Sequence, residues 1–108
     1  MKIVKKNRKF KVGMKKIELT EKAHIFLKNN EMVTLKNKKM EYDIVKKDWG
    51  FYATPSINER LLKFNFKTCI IRNKISKNIF ILIVEKKKIK NLNKYLKNEN
   101  CKVIKWLS

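Results

Sequence analysis

The sequence predicts a single α+β domain spanning residues 1–108, with strands and helices in the order β-α-β-β-α-β from about residue 41 onward. Three observations predict it. Segments with apolar residues at alternate positions are interleaved with segments carrying them at helical spacing, the periods of half-buried strands and amphipathic helices. Ile79 to Val84 is apolar at every position, the mark of a strand covered on both faces. The apolar content of 44% in a chain of this length suits one core and argues against disorder.

The first strand is expected within Lys2 to Val12, where Phe10 and Val12 alternate with lysines. A short helix follows in this reading. Thr20 caps it, Glu21 suits the positive end of its dipole, and Ala23, Phe26 and Leu27 share a face. Asn29-Asn30 ends it. Residues 31–36 and 40–46 read as two strands about a turn at Asn37-Lys38, with Met40, Tyr42 and Ile44 alternating with Glu41 and Asp43. Trp49 to Ala53 favours extended structure, which Thr54-Pro55 breaks.

Ser56 with Glu59 three residues later forms a capping box. Ile57, Leu61 and Phe64 then give an amphipathic helix that stops near Asn65. Phe66 to Arg72 is a strand, residues 74–78 a hairpin-sized loop, and Ile79 to Val84 the buried strand. Ile89, Leu92 and Leu96 mark a second helix ending around residues 98–100, and Lys102 to Leu107 a final strand. From Glu41 this is the split, ferredoxin-like order, whose first and third strands lie in the middle of the sheet. Residues 1–40 would form an N-terminal β-α-β extension packed on the same sheet, with residues 41–108 as the core.

The formal charge is +20, from 29 Lys and Arg against 9 Asp and Glu. Such a surplus favours polyanions, either nucleic acid, with RNA preferred, or an acidic protein. Lys supplies 26 of the basic residues, and Arg8, Arg60 and Arg72 the rest. Base readout and bidentate phosphate contacts favour arginine, whereas lysine acts as a hydrated point charge. Lys, Asn and Ile together make up nearly half the chain, and all three have AT-rich codons. Genome composition is thus a competing source of the charge.

Cys69 and Cys101 belong to no Cys-x-x-Cys pair, so no zinc site or dithiol motif is expected, and two free thiols fit a reducing compartment. The charged N-terminus has no apolar segment behind it, and the six-residue run at Ile79 to Val84 is too short to span a bilayer. A soluble, cytoplasmic protein without cofactor or metal is expected.

Two constellations could carry function. One is an anion site at the start of the helix after Pro55, with Thr54, Ser56 and Asn58 as donors, Arg60 one turn in, and Lys67 and Arg72 on the next strand. Without a Gly-rich loop, plain helix initiation by Thr54, Pro55, Ser56 and Glu59 is favoured over an anion site. The other is aromatic contact through Trp49, Phe51 and Tyr52, stacking RNA bases in a basic field. The strand NIFILIV departs from the aromatic, Gly-containing pattern of RNA-binding sheets. His24 and Cys69 lack a positioned partner, and no catalytic residue is assigned. The expected function is a non-enzymatic basic module binding RNA or another polyanion. The alternative is a small accessory or assembly protein that contacts another protein through Trp49 to Ile57.

Overall fold

Strand dominates the computed structural model, which describes residues 1–108: 56% of the chain is strand and 16% helix, in three small sheets with two short helices. The expected α+β, ferredoxin-like core is therefore not formed. The chain divides into two compact units, Met1–Thr54 and Pro55–Ser108.

The first unit opens with an antiparallel hairpin of β1 (Lys2–Val12) and β2 (Ile17–Phe26). The helix expected from Thr20 to Leu27 is thus strand. Ala23, Phe26 and Leu27 do fall at helical spacing. However, Ile17, Leu19, Ala23 and Ile25 fall at period two, and that pattern prevails once β1 lies alongside. Lys11 faces Glu18 and Arg8 faces Glu21 in the register, so cross-strand charge pairs reinforce the hairpin. Its loop turns at Gly13, which takes φ +78°, and closes with Lys16 N–H donating to the Gly13 carbonyl at 3.2 Å.

β3 (Met32–Asn37), β4 (Met40–Lys47) and β5 (Gly50–Ala53) form an antiparallel sheet in that spatial order. The alternation of residues 31–46 anticipated β3, β4 and the tight turn at Lys38, where φ reaches +58°. Because β3 and β5 occupy both edges of β4, that strand cannot serve as the first strand of a later sheet. The ferredoxin-like order fails at this point.

The second unit contains α1 (Arg60–Lys63), β6 (Phe66–Asn73), β7 (Ile79–Glu85), α2 (Ile89–Asn98) and β8 (Cys101–Trp106). Its sheet has the order β7-β6-β8 and is antiparallel throughout. The apolar strand expected at the centre is an edge, and β6 takes the middle. Residues 1–40 share neither strand nor sheet with it. Both helices end on an asparagine in the left-handed region, Asn65 at φ +65° and Asn100 at φ +56°, as the sequence anticipated.

α2 lays Leu92 and Leu96 on one face of this sheet against Cys69, Ile71 and Val84, with Leu82, Ile89, Cys101, Val103 and Trp106 around them. The loop from β6 to β7 is held by Asn73, whose Oδ1 accepts from the backbone N–H groups of Ile75 and Ser76, both at 2.9 Å. No helix is long and apolar enough to cross a membrane.

Candidate nucleic-acid interface

The β4–β5 hairpin positions the aromatic residues that the sequence singles out. Asp48 and Trp49 form its turn, since Lys47 pairs with Gly50, Lys46 with Phe51 and Val45 with Tyr52. Gly50 takes φ +145°, a conformation side chains avoid, and it lets the chain reverse straight after Trp49. Pairing then sends Phe51 to one face of the ribbon with Lys46, and Tyr52 to the other with Val45 and Lys47.

All three rings are open to solvent. Trp49 is 68% exposed, Phe51 63% and Tyr52 43%. Trp49 and Tyr52 stack on each other with centroids 6.1 Å apart and planes 22° from parallel. The Lys46 ammonium lies 5.8 Å from the Phe51 ring centre and also donates to the Lys47 carbonyl. Lys47 donates to Asn30 Oδ1 at 2.6 Å. Adjacent exposed aromatics flanked by ammonium groups can stack unpaired bases while the lysines meet phosphate. The sequence separated the Lys46-Lys47 run from the aromatic segment. The register of β4 on β5 is what unites them, and the turn residues Asp48-Trp49 are the local signal for it.

A second basic surface lies on α2. Leu92 and Leu96 face the core, which leaves Lys90, Lys94 and Lys97 at i, i+4 and i+7 along the exposed side. No acidic residue interrupts them within the helix. Three like charges on one stripe weaken an isolated helix, each pair by a few tenths of a kcal/mol. Burial of the opposite face supports the helix against that repulsion. The spacing was legible in the sequence once the core face was known.

Of the six residues of the expected anion site, Thr54 belongs to the first unit and the other five to the second. The Thr54 hydroxyl donates to Asp43 Oδ2 at 3.2 Å and its N–H to the Asp43 carbonyl at 3.0 Å, tying it to β4 in the first unit. Ser56, Asn58 and Arg60 belong to the second unit, where α1 is a single turn beginning at Arg60 rather than at Ser56. Ser56 does organise that turn: its Oγ accepts from Arg60 N–H and its carbonyl from Leu61 N–H, both at 3.0 Å. Glu59 completes no capping box and instead lies 3.7 Å from Lys63. Lys67 and Arg72 leave β6 on opposite faces. The Lys67 ammonium sits 4.6 Å from the Trp106 ring centre, while Arg72 Nε is shut off from solvent without an acceptor.

His24 lies on β2, its Nε2 3.0 Å from Glu21, and this contact together with Arg8 holds the Glu21 carboxyl below its ordinary range. Cys69 is fully buried in the core, and burial pushes its thiol up, away from the nucleophilic thiolate. No group of three or more His, Cys, Asp or Glu residues is placed to hold a metal. No protein family, curated protein or solved structure matches the chain.

Proposed function

We propose that the chain is a non-enzymatic binding module for a polyanion, with single-stranded RNA as the favoured partner. Trp49, Phe51 and Tyr52 act as base-stacking groups, and Lys46 and Lys47 as phosphate contacts. The observation that carries this reading is the exposure of three neighbouring rings beside two lysines on one short hairpin. Isolated exposed apolar residues are ordinary on a protein surface, whereas a stacked Trp49–Tyr52 pair with Phe51 on the other face of the same hairpin points to a contact site. The preponderance of lysine over arginine fits a sequence-tolerant partner. The lysine stripe of α2 gives the second unit a surface of the same sign.

The test is anisotropy of a labelled single-stranded RNA titrated with the chain at about 50 and 200 mM salt. Affinity should fall steeply across that range. Trp49→Ala and Phe51→Ala should each weaken binding about fivefold or more, from the roughly 1–3 kcal/mol that a stacked base contributes. Binding that is flat in salt, or unchanged by both truncations, overturns the reading. The exposed rings also favour the second reading, a protein partner docking on Trp49 to Ile57. In that case the truncations spare RNA affinity and abolish the protein contact.

A further inference from the structure

The two edges of the β7-β6-β8 sheet differ in how they are protected. β8 is blunted: its register slips between Ile70 and Ile71, inserting Ile104 as a bulge, and Lys102 and Lys105 stand on the face away from α2. β7 runs unbroken from Ile79 to Glu85 with neither proline, glycine nor lysine, and its neighbour in the sheet is β6 alone. Ile79, Phe80 and Ile81 are 55%, 50% and 66% exposed. A long, apolar, unbulged edge is a template for another strand.

The backbone shows which groups that edge offers. The Asn78 carbonyl accepts from Asn73 N–H at 2.9 Å, and Lys86 N–H donates to the Asn65 carbonyl at 2.9 Å. Residues 78 and 86 therefore turn their polar backbone groups toward β6. Alternation along the strand makes 80, 82 and 84 do the same. Ile79, Ile81, Ile83 and Glu85 direct their N–H and C=O groups outward.

The geometry points to a second copy of this chain as the occupant, its β7 pairing antiparallel with this one about a two-fold axis at Ile81. In that register Ile81 faces its own counterpart and Ile79 faces Ile83 in hydrogen-bonded pairs, and the three-stranded sheets join into one of six strands. Charge selects this register. Glu85 is the one charged residue in β7, and Lys77 lies two residues before the strand; neither meets an opposite charge within the chain. Centring on Ile81 sets Glu85 of each copy against Lys77 of the other, at both ends of the pairing. Centring on Leu82 instead sets Lys87 against Lys77, like charge against like, and centring on Phe80 sets Lys77 against Ile83 and leaves Glu85 with no cation opposite.

Sedimentation velocity of the full chain, over a concentration series at low and high salt, tests the pairing. A monomer–dimer equilibrium is expected, strengthened by salt because screening relieves repulsion between two chains of charge +20. That sign is opposite to the salt response of RNA binding, so the two proposals stand or fall separately. Ile81→Lys should abolish the dimer. Lys77→Glu and Glu85→Lys should each weaken it about tenfold, and the two together should restore it. A monomer at every concentration, a dimer indifferent to Ile81→Lys, or a charge exchange that fails to rescue overturns the proposal. The exchange tests the register even if Ile81→Lys perturbs folding.

Discussion

The first unit and the second use the same lysine-rich alphabet to different ends. Of the buried apolar side chains, Val45 alone belongs to the first unit, whereas Leu61, Cys69, Ile71, Val84, Leu92 and Leu96 belong to the second. Ion pairs cluster in the first: Glu18, Glu21, Glu31 and Glu41 each lie within 4.0 Å of a cation. The second has fourteen basic residues against three acidic ones, the first fifteen against six. Exposed ion pairs contribute little to stability, and a two-stranded hairpin is marginal without a packed face. The second unit is thus held by a hydrophobic core that tolerates unbalanced surface charge. The first is held by strand ladders, and most of its side chains outside β4 are exposed to solvent.

The sharpest way to break this comparison is to attack the core. Leu96→Ala should destabilise the second unit by about 2–5 kcal/mol, the usual cost of emptying a buried leucine site. Hydrogen exchange of the β6 amides reads the loss. In the unaltered chain the same measurement should find the β1 and β2 amides exchanging faster than those of β6. Equal protection in the two hairpins would mean that the first unit has a source of stability beyond its ladders.

A smaller effect sharpens the other side. Gly50→Ala meets no atom within 4 Å, so crowding cannot explain any change it produces. The φ of +145° is the whole obstacle, and about 1–3 kcal/mol of backbone strain is expected. Because Gly50 sets the reversal after Trp49, RNA affinity should fall along with hairpin stability. A substitution that lowers neither shows that the aromatic group does not depend on this turn.

The sequence made local features legible and pairings illegible. Alternation in Met40 to Lys46, the asparagine helix ends and the α2 core face were all readable, because each depends on neighbours a few residues away. Thr20 to Leu27 was misread because a short segment can satisfy two periods at once, and only the partner strand β1 decides between them. The apolar run at Ile79 to Val84 was misplaced for a related reason. Full hydrophobicity signals burial on both faces, but it also describes an edge left open, and sequence does not distinguish them. Trp49, Phe51 and Tyr52 stood out by composition, yet their exposure and their lysine neighbours came from the register of β4 on β5. Lys67 and Arg72 were grouped by their place on one strand, yet alternation along β6 sends them to opposite faces.

The smallest expected effect concerns pH and separates the units by their titrating groups. Burial raises the Cys69 thiol above its ordinary value, with Lys67 pulling it back in part. A raised thiol contributes stability that is complete below the unfolded value. That contribution is lost as pH rises through the ordinary thiol range toward the folded value, because the unfolded chain gives up its proton first. Denaturation midpoints read in the second unit should therefore decline above about pH 9. Tyr95, also raised by burial, adds to the decline at higher pH. Cys69→Ala will lower stability at every pH by thinning the core, so its absolute midpoint is uninformative. The slope is the readout: without the thiol, the decline near pH 9 should flatten while the later tyrosine-linked loss persists. An unaltered slope would mean that Cys69 keeps its proton equally well in the unfolded chain, and burial in this core would then have no bearing on its chemistry.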